Sequence, residues 1–122
     1  MELKTATASL SALAHEGRLG VFRLLVQAGP DGLAAGEIAR RMDVLPNTLS
    51  ANLNLLNRAG LIEPRRQGRS IIYTASYGRM TELLAFLLED CCGGEPQICA
   101  PLADDLKRTQ SCVRASTERE IA

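Results

Sequence analysis

The hydrophobic period of this chain changes between Leu33 and Ala75, and that change limits the folds open to it. Residues 33–42 place Ile38 and Met42 four apart, with Ala35 and Ala39 as small packing positions, which is the spacing of a two- to three-turn helix. Asp43-Val-Leu-Pro46 interrupts the pattern. A second helix is predicted from Pro46, a good first-turn residue followed by polar Asn47 and Thr48, and Leu49, Leu53 and Leu56 mark its buried stripe. Ala59-Gly60 supplies the stop. Two short extended runs follow, Leu61–Arg66 and Ser70–Ala75, with Gln67-Gly68 between them, so a two-stranded hairpin is expected. Pro64 confines the first strand to an edge.

Apolar helical patterns flank this middle section. Leu3, Leu10 and Leu13 are spaced for one face of a first helix over residues 3–14. Leu19, Phe22, Leu25 and Val26 define a second, ended by Gly29-Pro-Asp-Gly32. From Tyr77 a last helix carries Met80, Leu83, Leu84, Leu87 and Leu88. That is more apolar surface than one core face needs, so the surplus predicts a dimer contact. His15, the single histidine, precedes the second helix and suits a capping or packing role.

Two short helices around a tight break, a hairpin and an apolar helix together form the order of a winged helix-turn-helix. The expected class is mainly α (α+β), dimerising through the first and last helices. Domain bounds are expected at 1–92, for DNA binding and dimerisation, and 93–122, for a flexible tail holding part of a ligand site. On the second helix of the motif, at about 100° per residue, inward Leu49, Leu53 and Leu56 send Asn47, Ala51, Asn54 and Arg58 outward, flanked by Thr48 and Ser50. Such side chains can pair with base edges or approach a thymine methyl. Arg65, Arg66 and Arg69 around Gln67 suit phosphate or minor-groove contact.

The charge distribution agrees. The chain has 122 residues and formal net charge zero, yet residues 1–80 carry ten basic and six acidic residues. Partners are set by local charge rather than by the total. No apolar run approaches the ~20 residues of a membrane span, and no charged and apolar leader opens the chain, so a cytoplasmic location is expected. The Ser-His-Asp, P-loop and GxGxxG patterns of common enzyme sites are absent from the sequence.

Cys91-Cys92-Gly-Gly-Glu-Pro-Gln-Ile-Cys99 follows the last helix. Adjacent cysteines on a helix point about 100° apart and converge only where the helix frays, which Gly93-Gly94 allows. Pro96 helps turn the chain so that Cys99 approaches the pair. Three thiolates suit pyramidal As(III) or Sb(III). Zinc prefers four ligands, and Cu(I) or iron–sulfur clusters are other soft choices. A thiol redox switch is a further alternative. Cys112 is read as a bystander.

Four segments resemble the ArsR/SmtB repressors: Leu13–Leu25, Gly36–Ala39, Asn47–Ile62 and Gln67–Tyr73. The likeness covers about residues 8–102. It implies a homodimer that binds double-stranded operator DNA and leaves it when an inducer binds, with no cofactor required. Leu87–Pro101 looks like the arsenic-sensing branch, which implies As(III) or Sb(III) bound by Cys91, Cys92 and Cys99. The first motif helix lacks cysteine and the last helix lacks histidine, so two other metal sites of such proteins are missing. Ala51-Asn52 stands where many of them carry a bulky or basic pair at the operator. The function expected is an As(III)/Sb(III)-responsive repressor. The alternatives are a redox- or soft-metal-responsive repressor on the same scaffold and a small metal-buffering or interaction protein without a DNA role.

Overall fold

Helix α1 (Leu3–Leu13) opens the chain, and α2 (Glu16–Ala28) follows after a two-residue break. The computed structural model describes residues 1–89, 100–102 and 104–106. His15 makes the break. It is the N-cap of α2, and its Nδ1 accepts hydrogen bonds from the Gly17 and Arg18 amides at 3.1 and 3.4 Å. A neutral imidazole thus satisfies two of the free donors of a helix start. Arg18 Nε donates to the Ala12 carbonyl at 2.6 Å and ties the end of α1 to the start of α2.

Of the leucines spaced along one face of α1, only Leu13 packs against the core. Leu3 and Leu10 are 73% and 41% exposed, whereas the buried face is Ala6, Ser9 and Ala12. Small residues at this spacing let α1 lie close to α2 and α4, and Leu3 and Leu10 are turned outward. Leu19 of α2 is likewise exposed; Val21, Phe22 and Leu25 supply the buried face.

The segment read as one helix from residue 33 begins as a strand. Leu33–Ala34 forms β1, and α3 runs from Ala35 to Met42. The wing expected as a two-stranded hairpin, β2 (Ile62–Gln67) and β3 (Ser70–Ala75), therefore belongs to a three-stranded antiparallel sheet of order β1-β3-β2. Gly32 makes the third strand possible. Its φ is +68°, and an added Cβ would lie 2.4 Å from the Tyr73 carbonyl oxygen. Two residues are too short a run for a period to reveal, which is why β1 escapes pattern reading. Pro64 sits on edge strand β2 as expected, opposite Tyr73.

Helix α4 (Pro46–Arg58) carries proline in its first turn. Its end is a Schellman motif: Leu61 N–H donates to Leu56 O at 3.1 Å and Gly60 N–H to Asn57 O at 3.0 Å, with Gly60 at φ +76°. Leu56 and Leu61, the two residues this motif brings together, are both fully buried. They join Leu25, Ile38, Leu49, Leu53 and Ile62 in one core between the helices and the sheet. Ser76 precedes helix α5 (Tyr77–Leu88), and its Oγ accepts from the Arg79 amide. The Tyr77 hydroxyl donates to the Val26 carbonyl at 3.1 Å and fixes the start of α5 against α2. The motif and the wing lie within one compact unit, Met1–Phe86, and a second begins at Leu87.

Candidate nucleic-acid interface

The α3–α4 pair is built as two helices joined by a tight left-handed turn. Asp43 closes α3 at φ +54°, and the Asp43 and Val44 amides donate to the Arg40 and Ala39 carbonyls. An aspartate is among the few residues other than glycine that tolerate this conformation. The chain then passes through Leu45, 74% exposed, into Pro46. Leu45 provides no side-chain cap, so the start of α4 keeps uncapped amides at the positive end of the helix dipole.

Along α4 the wheel arithmetic holds for most positions. Asn47, Thr48, Ser50, Ala51, Asn54 and Arg58 are exposed, opposite buried Leu49, Leu53 and Leu56. Asn52 is the exception among the anticipated contacts. It is only 8% exposed. Three residues past Leu49 is about 300° of rotation, which returns Asn52 to within about 60° of the leucine stripe. Its amide lies beside the α2 start, with Nδ2 3.2 Å from where a Cβ on Gly17 would stand. Asn52 thus belongs to the α2–α4 contact and is no base-reading side chain.

Arg58 differs from its stripe mates in another way. It lies in the last turn, about 18 Å along the axis from Pro46 at 1.5 Å per residue. There it lines a hollow with Ala8, Ser11 and Arg18. Base readers of a recognition helix cluster at its start, so Arg58 stands at the far end of the interface.

In the wing the register assigns faces. Residues directly opposite one another share a face. Ile62 and Ala75 are buried as a pair, so Pro64 with Tyr73 and Arg66 with Ile71 continue that face outward. Arg65, opposite Ile72, and Gln67, opposite Ser70, point to the other side. Arg65 also donates from Nη2 to the Asp31 carbonyl at 3.3 Å, which links the wing to the turn before β1. The tip is Gly68-Arg69 rather than Gln67-Gly68. Arg66 and Arg69 are the other exposed cations of the wing. Leu45 and the arginines of α3 also lie close to this interface in the chain. Glu37 of α3 pairs with both Arg40 and Arg41, the latter through Nε at 2.8 Å. Their signal was position rather than residue type, because the last turn of α3 leads directly into α4.

Comparison with known proteins matches residues 13–65 to a family model described as a helix-turn-helix domain. The structure of HlyU from Vibrio cholerae superposes with a TM-score of 0.57 at 33% identity, covering 71% of this chain and 97% of that one. A winged helix-turn-helix DNA-binding domain from Mycobacterium bovis, described as homodimeric and as a possible ArsR-family transcriptional regulator, matches with a TM-score of 0.58. It is 30% identical, over 72% of this chain and 82% of that one. This chain belongs to the ArsR-like transcriptional regulators. A third relative, the biofilm growth-associated repressor of Agrobacterium fabrum, is 29% identical over 89 residues, which is 73% of this chain and 74% of that protein. HlyU is described as a transcriptional activator. The relatives of this chain therefore include regulators of both signs.

The anticipated thiol site is a separate matter. Cys91, Cys92, Cys99 and Cys112 lie outside the described residues. Among the described residues no group of three or more His, Cys, Asp or Glu side chains could hold a metal ion. No helix among them is long and apolar enough to cross a membrane.

Proposed function

We propose that this ArsR-like regulator is a cytoplasmic, non-catalytic repressor that binds operator DNA as a homodimer and releases it when As(III) or Sb(III) binds Cys91, Cys92 and Cys99. The observation that carries DNA binding is the solvent face of α4. Asn47, Thr48, Ser50, Ala51 and Asn54 present short polar or small side chains without an acid, beside a wing that offers Arg66 and Arg69. The start of α4 would enter the major groove and the wing arginines would meet phosphates or the minor groove. Two copies would read half-sites about 34 Å apart.

The dimer reading is supported by apolar surface that is exposed among the described residues. Leu3 and Leu10 of α1 face outward. Leu19 and Leu84, each over 40% exposed, rim an apolar hollow of about 300 Å³ lined by Phe22, Val26, Met80 and Leu83. The homodimeric Mycobacterium bovis relative agrees with this.

The inducer reading rests on thiol number and spacing. Helix α5 ends at Leu88, and Cys91-Cys92 follow within three to four residues, with Cys99 seven further on. Soft thiolates select soft ions, and three of them satisfy a trivalent pyramidal centre without the fourth ligand that zinc takes. Binding there would couple to DNA through the end of the dimer helix, by an amount of order 1–3 kcal/mol.

Fluorescence anisotropy of the reduced protein on its upstream promoter DNA tests all three parts. Arsenite is expected to release the DNA while zinc is not. Cys91→Ser, Cys92→Ser and Cys99→Ser are expected to bind DNA normally and to ignore arsenite. Release of all three variants by arsenite would discard the site. Release by peroxide and recovery with reductant, in place of an arsenite response, would mean a redox switch on the same scaffold. A promoter–reporter assay distinguishes repression from activation.

A further inference from the structure

We propose that Arg40 and Arg41, spread on the single carboxylate of Glu37, form a DNA phosphate contact on α3 that adds to those of α4 and the wing. This inference rests on the DNA-binding reading above. It begins with the faces of α3. Ile38 is fully buried, and Ala35, Ala39 and Met42 pack around it. At about 100° per residue these four span one arc, and Glu37, Arg40 and Arg41 occupy the arc opposite. The two arginine side chains are 75% and 49% exposed.

The ion-pair geometry then decides what remains available. Glu37 uses one oxygen for each arginine, Oε2 for Arg40 and Oε1 for Arg41. Arg40 pairs with it from Nη2 and Arg41 from Nε. A guanidinium has five N–H donors. Each arginine therefore keeps donors for another acceptor beside the carboxylate it already pairs with. One carboxylate between two guanidiniums leaves a local charge of +1. A phosphate oxygen pair is the acceptor that matches a guanidinium fork in charge and shape.

Position supplies the partner. Arg41 lies five residues before Pro46, in the last turn of α3, and the turn through Asp43 leads straight to the start of α4. When the second helix of such a motif enters the major groove, the first crosses the sugar–phosphate backbone. Glu37 has two effects. It orients the guanidiniums, and its own charge opposes the approaching phosphate.

The test compares wild type with Arg40→Gln/Arg41→Gln, Arg40→Lys/Arg41→Lys and Glu37→Gln. Binding to promoter DNA and to a random duplex is measured by anisotropy over a salt series, with thermal melts as a folding control. Each neutralised phosphate contributes about −0.9 to the slope of log K against log salt. The Gln pair should weaken binding about tenfold on both duplexes and flatten the slope by about 1 to 2. The Lys pair should restore most of the slope, and Glu37→Gln should tighten binding several-fold on both. An unchanged slope in a folded Gln pair overturns the proposal, as does weaker binding by Glu37→Gln at unchanged slope. Wild type that binds neither duplex would instead overturn the DNA reading, and this contact with it.

Discussion

Helices α1 and α4 use leucine in opposite ways. Helix α4 buries Leu49, Leu53 and Leu56 and shows polar residues to solvent. Helix α1 buries Ala6, Ser9 and Ala12 and shows Leu3 and Leu10. The contrast separates two kinds of surface on one small unit. Where the core is filled by leucines, the outer face is left for small polar groups that can approach DNA. Where small residues bring a helix close to its neighbours, the large apolar side chains remain available to another protein surface.

The largest effect expected from this contrast is on folding. Leu56 is fully buried and belongs to the core that joins α4 to the sheet. Leu56→Ala should lower unfolding free energy by about 3 kcal/mol, within the usual 2–5 for buried leucine. Leu10→Ala, at a half-exposed site, should cost under about 1 kcal/mol at concentrations where the protein is monomeric. Urea unfolding of both variants checks this. Equal losses would mean that α1 is packed through its leucines after all.

A second prediction concerns association. Leu10→Asp combined with Leu84→Asp places charges on the two exposed apolar faces and should raise the dimer dissociation constant by about 30-fold, or ~2 kcal/mol. Sedimentation equilibrium reads it. A dimer unaffected by both changes would place its interface elsewhere and leave the outward leucines without a partner.

The wing repeats the contrast at a finer scale. Arg65 and Arg66 are neighbours in sequence but lie on opposite faces of β2, and Arg65 is tied to the Asp31 carbonyl. Arg66→Ala should reduce the salt slope of DNA binding by about 1 and weaken binding several-fold. Arg65→Ala should leave the slope within error and act through the seating of the wing. Equal slope changes would show that both faces of the wing meet phosphate.

Much of this was legible in residue patterns, for reasons that also explain the failures. The α3–α4 break, the Gly60 stop, the edge position of Pro64 and the capping role of His15 are local effects, fixed by residues within a turn of one another. Leu19 departs from its stripe, and the buried face of α1 is made of small residues, because periodicity marks an apolar stripe without saying what covers it. Asn52 came into the interface through the family resemblance, whereas its angular position places it with the leucines. Strand β1 depends on Gly32 meeting Tyr73, some 40 residues away, and two residues carry no period. Arg40 and Arg41 look like an ordinary solvated helix face until the turn geometry places them beside the start of α4.

The smallest effect tests the buried face of α1 directly. Ser9 is 1% exposed, and its hydroxyl is the one buried side-chain polar atom among the described residues without a hydrogen-bond partner. A hydroxyl in that state costs free energy, whereas an apolar group of similar size does not. Alanine is also the better helix former, by up to about 0.5 kcal/mol. It would extend the run of Ala6 and Ala12 on the same face. Ser9→Ala should therefore stabilise the chain by about 0.5–1 kcal/mol, read as a higher urea midpoint at unchanged m-value. A loss of stability would mean that the hydroxyl finds an acceptor in the folded protein. A loss confined to concentrations that support the dimer would place that acceptor on a second copy, and the small-residue face of α1 would then serve association as well as the core.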